Sequence, residues 1–270
     1  MDLTAYLERI EFSGTPAVDL ATLKTVHHQH LLHIPYENID VQLGSPLDFD
    51  MQRIFNKLVT ANRGGWCYEM NGLLGWALQE IGFEVTRMCG GVMREFAGDE
   101  QIGNHLILEV NLNGDRWLAD VGLGDGIRQP IPIAKGSHTQ QGLSYKLATM
   151  PDGFWRFSNH QHSNVKSFDF MHQPANEEQL AQRCQWLQTD PQSPFMMALI
   201  IQRFTPETIE VQLGKMHTTI RAEGKQTTEI NSLEAMQEHL QTTFGLSVDI
   251  SPAWDGILAA HKKFTEERTG

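Results

Sequence analysis

The sequence predicts an α+β protein in three successive parts: an N-terminal helical bundle (1–82), a central antiparallel β-sheet or barrel (83–175) and a small mixed α/β unit (176–270). Three observations carry this division. Up to Gly82, apolar residues recur at three- and four-residue intervals. After Gly82 the period shortens, and Phe83, Val85, Val92, Leu106, Leu108 and Val110 fall in short runs of strand formers with no crossover helix between them. From Asn176 a helical stretch, a proline-rich break and a meander of short segments follow.

Leu3, Tyr6 and Leu7 form a first helical stripe. Leu20, Leu23, Val26, Leu31 and Ile34 form a second, ended by Pro35, which has no amide hydrogen to give. His27, His28, His30 and His33 lie in that second stretch. No nearby cysteine completes a ligand set, so capping, packing or a pocket rim is their expected role, and no metal is assigned. Pro35-Tyr36-Glu37-Asn38 reads as a rigid turn, with Glu37 placed to pair with Arg63 and brace the Gly64–Gly65 turn. Met51, Ile54, Phe55, Leu58 and Val59 predict a helix over 51–60. Met70, Leu73, Leu74, Ala77, Leu78 and Ile81 predict another, with Gly82 as its C-cap and Cys67 near its start.

Within the central part, the run from His105 to Asp120 holds Asn113–Gly114, a strong signal for a two-residue hairpin turn. Further strands are expected at 145–149, 154–157 and 167–170. Asn176 to Thr189 reads as a helix, Asp190-Pro191-Gln192-Ser193-Pro194 breaks it, and 208–213, 217–222 and 226–230 form the meander. Asn231 is the expected cap of the next helix, with Glu234 three residues on, and Gly245 its end. The tail beyond Ala260, with Lys262, Lys263, Glu266, Glu267 and Arg268, is expected to fray.

Composition bounds the function. Hydrophobic residues at 40% and charged residues at 20% are ordinary for a globular chain of 270 residues. The longest apolar run, Phe195 to Ile201, is too short for a membrane span, and the opening Met1-Asp2-Leu3-Thr4 is not a signal segment. Three cysteines, Cys67, Cys89 and Cys184, do not make a disulfide framework, and a reducing cytoplasm is the expected compartment. A formal net charge of -12 disfavours nucleic acid and anionic membrane as partners. It leaves room for a small anionic cofactor, which needs only a local nest of donors.

Chemistry centres on Cys67. At a helix start it meets amides with no intrahelical partner, and such a position favours the thiolate. A two-residue turn at Asn113–Gly114 makes facing pairs sum to 227, so Asp120 faces Ile107, whose side chain shares a sheet face with His105. His105 and Asp120 are then diagonal neighbours at about 7–8 Å between Cα atoms, within reach of an imidazole–carboxylate bond. Cys67, His105 and Asp120 supply a nucleophile, a base and the group that orients the base. The resulting acyl-cysteine awaits a second nucleophile, and water and amine both remain open.

Arg63-Gly64-Gly65-Trp66-Cys67-Tyr68-Glu69-Met70-Asn71, Ile34-Pro35-Tyr36-Glu37-Asn38, Gly103-Asn104-His105 and Trp117-Leu118-Ala119-Asp120-Val121-Gly122-Leu123-Gly124 together resemble the arylamine N-acetyltransferases. The His27-His28-Gln29-His30 spacing and Phe157-Ser158-Asn159-His160-Gln161 extend the resemblance, which is strongest over 20–175. It implies a helical bundle, a β-barrel and an α/β lid around a cysteine-proteinase-like core, with Cys67, His105 and Asp120 as catalytic triad. It further implies acetyl-coenzyme A as donor and a small aromatic amine, hydrazine or hydroxylamine as acceptor, on a monomer or homodimer. Tyr36, Val92 and Leu123 match acceptor-pocket positions, with Tyr36, Leu123 and Tyr68 departing from the phenylalanines usual there. Gly124 and Gly126 are placed to let the backbone approach the cofactor. An amide synthase with a longer acyl donor, a thiol hydrolase and a non-catalytic binding protein are the alternatives.

Overall fold

The computed structural model describes residues 1–269, with side chains through Lys262. Helix α1 (Leu3–Arg9) begins where the Asp2 carboxylate accepts the Thr4 amide, and α2 (Leu20–His33) where Asp19 accepts that of Thr22. Tyr36–Glu37 is a strand, β1, instead of the expected turn, because the Glu37 amide finds the Gly65 carbonyl at 2.9 Å and the segment stays extended. After the short α3 (Ile39–Gln42), the helix expected over 51–60 is divided: α4 (Met51–Phe55) widens into a π-turn over Asn56–Thr60. That turn carries Lys57, whose ammonium lies 2.8 Å from Asp40 and 2.9 Å from Glu69. Helix α5 (Cys67–Ile81) ends at Gly82, whose φ of +111° closes it in the left-handed conformation.

The central strands are β2 (Glu84–Val92), β3 (His105–Leu112), β4 (Asp115–Ala119), β5 (Ile131–Pro132), β6 (Gly136–Gln140), β7 (Leu143–Thr149), β8 (Trp155–Ser158) and β9 (Ser167–Phe170). They pair antiparallel in the order β5-β4-β3-β2-β9-β8-β7-β6, a near-closed barrel. A short helix, α6 (Arg94–Ala97), lies between β2 and β3. The β3–β4 hairpin has the expected register, from Leu112 opposite Asp115 to Leu108 opposite Ala119, with Asn113 and Gly114 at positive φ as the turn. Strand β6 was not expected: Gly-Ser-His-Thr-Gln offers no apolar alternation, and its residues are exposed or half-buried.

The last part opens with α7 (Glu177–Thr189), capped by Asn176, and α8 (Pro194–Met197). Strands β10 (Ile200–Phe204), β11 (Ile209–Leu213), β12 (Met216–Arg221) and β13 (Gly224–Glu229) make the meander. The sheet order is β1-β10-β11-β12-β13, so the segment following α2 forms the edge of the C-terminal sheet. Helix α9 (Leu233–Phe244) is capped by Ser232, which accepts the Ala235 amide; the expected cap, Asn231, instead receives the Lys215 ammonium at 2.8 Å. Gly245 ends α9 at φ +70°. Helix α10 (Trp254–Thr269) follows. The expected fraying beyond Ala260 falls mostly on side chains, from 263 onward, that lie outside the described residues. Among the described residues no helix is long and apolar enough to cross a membrane.

Two cores result. Met70, Leu73, Leu74, Ala77 and Leu78 of α5 are closed off from water against α1, α2 and the barrel residues Leu108 and Val110, each large side chain contributing about 2 kcal/mol. Met236, Leu240 and Phe244 of α9 pack with Leu199, Ile201, Ile250 and Ile257. Between them Tyr36, Trp66, Cys67, Tyr68 and Leu106 pack with Leu180, Cys184 and Leu187 of α7, so α7 closes the seam where α5 starts.

Candidate active site

The chain reaches Cys67 through a passage that only glycine can follow. A Cβ on Gly64 would fall on the Pro35 carbonyl, and one on Gly65 would lie 2.8 Å from the Glu69 carboxylate. Glu69 accepts the Trp66 amide at 3.2 Å and the Lys57 ammonium at 2.9 Å. Burial raises its carboxyl to about 6 although Lys57 pulls the other way. Arg63 forks onto Glu37 at 2.6 and 3.0 Å, the pairing expected from the sequence, and reaches Asp40 at 2.9 Å. Glu37 also accepts the Ile39 amide at 2.7 Å. These charges fix the entry to α5, and Cys67 is its first residue, 3% exposed, with Sγ 3.8 Å from the Asn104 carbonyl. The positive end of the helix dipole lies at the thiol.

His105 opens β3 and Asp120 follows the last residue of β4, so the hairpin brings the two together: Nε2 lies 2.9 Å from Oδ2. This geometry leaves Nδ1 for the thiol. Burial works against a charged ring, but the Asp120 carboxylate and the adjoining Cys67 outweigh it and raise His105 to about 10. Burial likewise works against the Asp120 carboxylate, and His105, Asn71 and the Gly122 amide together hold its pKa below the usual range. Phe168 sets its ring edge to His105 at 5.2 Å between centroids.

Residues that sequence reasoning did not single out complete the arrangement. Asn71, one turn along α5 from Cys67, donates from Nδ2 to Asp120 Oδ1 at 2.7 Å and to the Leu106 carbonyl at 2.6 Å, while its Oδ1 accepts the Val121 amide at 2.9 Å. An amide does not titrate, so only its four-residue spacing from Cys67 marked it. Gly122 lies flat on the nucleophile: a Cβ there would stand 2.5 Å from Asn71 Nδ2 and 2.8 Å from Cys67 Cα.

The histidines grouped in the sequence diverge. His27 accepts the Asp120 amide at Nε2, 3.2 Å, and faces the Arg128 carbonyl with Nδ1, 3.3 Å. His28 meets that same carbonyl, His30 the Tyr6 hydroxyl at 2.9 Å, and His33 the Gln29 carbonyl at 3.0 Å. Among the described residues no group of three His, Cys, Asp or Glu could hold a metal ion.

Tyr36 is buried beside Cys67, Trp66 and Leu106, and burial, with the Asp120 carboxylate adding to it, keeps its phenol protonated. Val92 ends β2 opposite Phe168 and donates its amide to Asn104 Oδ1 at 2.8 Å. Leu123 is buried in the main core. The Gln202 side chain of β10 covers the Gly124 Cα, and Gly126 closes a turn by donating to the Leu123 carbonyl at 2.8 Å. Cys89 and Cys184 are free thiols; burial raises both, Cys184 to about 12.

A thiol at a helix start, an imidazole charged by a buried carboxylate and a glycine backbone against the nucleophile suit attack on an activated carbonyl. Comparison with known proteins points the same way. A family model described as N-acetyltransferase matches residues 19–253. The arylamine N-acetyltransferase of Escherichia coli is 32% identical over 92% of this chain and 89% of its own, and that of Mycolicibacterium smegmatis 31% identical over 92% and 93%. Among solved structures, the M. smegmatis arylamine N-acetyl transferase superposes with a TM-score of 0.85 at 30% identity, covering 94% of this chain and 97% of that one. The Mycobacterium marinum arylamine N-acetyltransferase, in complex with CoA, gives 0.84 at 26% identity, covering 95% and 98%. Matches that span nearly the whole chain, over a fold that brings Cys67, His105 and Asp120 to one seam, place this protein in the arylamine N-acetyltransferase family.

Proposed function

We propose that the chain carries an acetyl group from acetyl-coenzyme A on Cys67 and delivers it to the nitrogen of an arylamine or arylhydrazine, and to the oxygen of an N-hydroxyarylamine. In the first half-reaction Sγ of Cys67 attacks the thioester carbonyl, the bond to the coenzyme A sulfur breaks, and the His105 imidazolium protonates the leaving thiolate. In the second, the amine nitrogen attacks the acetyl carbon, the bond to Sγ breaks, and His105 takes the proton that nitrogen loses. Asp120 orients the ring and stabilises its charged form throughout. The single observation that supports this most is the 2.9 Å contact between His105 and Asp120 beside a cysteine at the start of α5.

Tyr36, Val92 and Leu123 are the proposed lining of the acceptor pocket. Leu123 offers no ring to stack on an aryl group, so van der Waals fit and Tyr36 set acceptor choice in this reading. Gly124 and Gly126 are the proposed backbone along which the donor's pantetheine lies, beside Gln202.

Intact-protein mass after mixing with acetyl-coenzyme A, on the parent and on Cys67→Ala, tests the scheme. One acetyl adduct that needs Cys67 and disappears on adding an arylamine supports it. A folded, reduced parent that takes no adduct overturns it, and an adduct lost to water as fast as to amine makes the protein a thiol hydrolase.

A further inference from the structure

His27 is a buried side chain with no part in this scheme. It is fully excluded from water, on α2, at the back of Asp120. Its two ring nitrogens have unequal partners: the Asp120 amide only donates, and the Arg128 carbonyl only accepts. One tautomer satisfies both, with the proton on Nδ1 and a bare lone pair on Nε2. Beyond Arg128 the connection continues, since its guanidinium donates to the Thr205 and Thr208 carbonyls at 2.7 and 2.8 Å, in the β10–β11 turn of the C-terminal sheet. Asp120 is the first residue past β4, with no strand partner of its own. Its carboxylate is held by Asn71, Gly122 and His105, and its backbone by His27.

We propose that His27 is a positioning residue: the lone pair on its Nε2 holds the Asp120 amide and so keeps the carboxylate in line with His105. This rests on the acetyl-cysteine reading above. A protonated His27 would turn a donor toward the Asp120 amide and lose the bond. The titratable groups that face it are the Asp120 carboxylate, which favours the proton, His28, which opposes it, and His30, which burial keeps neutral; burial prevails and lowers His27 to about 4. The strut is therefore intact wherever the enzyme is folded near neutrality.

Two amide substitutions separate the bonds. Gln at 27 places a carboxamide oxygen near the Nε2 position and keeps an acceptor for Asp120; Asn places its amide near Nδ1 and keeps only the Arg128 bond. With acetyl-coenzyme A, His27→Asn lowers kcat at least about tenfold with KM little changed, as expected for misalignment within the triad, whereas His27→Gln stays within about threefold. Alkylation of Cys67 by iodoacetamide, followed at the Cys67 peptide from pH 5 to 9, needs no acetyl donor: its acid limb moves to higher pH in His27→Asn and not in His27→Gln. Equal effects of the two substitutions, in rate and in alkylation profile, overturn the proposal. Nitrogen-15 NMR of the histidine-labelled parent decides the matter if neither variant folds. A His27 protonated on Nδ1 alone at pH 7 supports the strut, and one protonated on Nε2 removes it.

Discussion

Asn71 donates to Asp120 across 2.7 Å, so the helix that carries the nucleophile is bonded directly to the carboxylate behind the histidine. Asn71→Ala removes that donor and strands the Val121 amide, at a cost of about 1–3 kcal/mol in stability. It lets Asp120 turn away from His105, and the rate of acetyl-cysteine formation falls toward a hundredfold, the order of loss that about 1 Å of misplacement produces. Stopped-flow acetylation beside a thermal melt measures both. A rate within twofold of the parent would make the amide a structural tie only.

Gly122 is the glycine packed directly against the backbone of Cys67. A methyl group there meets Cys67 Cα at 2.8 Å, so Gly122→Ala pushes α5 away from the 120–122 turn. Acetylation falls by more than about a hundredfold through lost alignment. Gly114→Ala is the control: its φ of +89° makes alanine strained by about 1 kcal/mol, but nothing lies within 4 Å of the added carbon and activity persists. Comparable losses at both positions would deny Gly122 its special place.

Removing Arg63 exposes the cost of the charges that frame α5. Glu37 is wholly buried, and Arg63→Ala leaves its carboxylate with the Ile39 amide but without its ion-pair partner, which costs about 3–5 kcal/mol. Arg63→Lys restores charge but not the two-toothed contact and recovers part of the loss. Urea unfolding of the three proteins gives the order Arg, Lys, Ala; a parent-like midpoint for Arg63→Ala contradicts it.

Much of this architecture is legible in the residue order, and the failures have physical reasons. Helix α5 announces itself because its apolar stripe ends on a glycine that takes a left-handed φ. The meeting of His105 with Asp120 follows from the parity of a two-residue turn, which fixes which side chains share a face. Strand β1 is hidden because its partners, Gly65 and β10, are remote in sequence and Pro35 suggests a turn. Strand β6 is hidden because it buries nothing apolar. Asn71 and His27 act through hydrogen bonds to backbone and carboxylate, and such bonds leave no periodicity to read.

Acid weakens the fold through its buried histidines. Burial lowers His27 and His160 to about 4 and His30 well below its ordinary value, so all three are neutral when folded. The unfolded chain takes up their protons as pH drops below about 6.5. The stability they lend is complete above that pH and is lost progressively down to about 4, at about 1.4 kcal/mol per pH unit for each proton. Glu69 and Asp125, raised to about 6 by burial, oppose the trend below pH 6 without cancelling it. Urea midpoints at pH 7, 6 and 5 therefore fall with acid. His160→Gln, which keeps a donor for the Asp125 carbonyl, flattens the fall. An unchanged slope in that variant would remove His160 from the set.

Cys67 comes from α5, while His105 and the carboxylate that orients it come from a hairpin that ends some fifty residues later in the chain. During synthesis the cysteine leaves the ribosome well before Asp120, so the growing chain carries an ordinary thiol. In the proposed scheme His105 and Asp120 can activate it only once the barrel edge is complete. Fast alkylation at Cys67 is thus a gauge of how many molecules have finished folding, and the nascent chain is spared a live nucleophile.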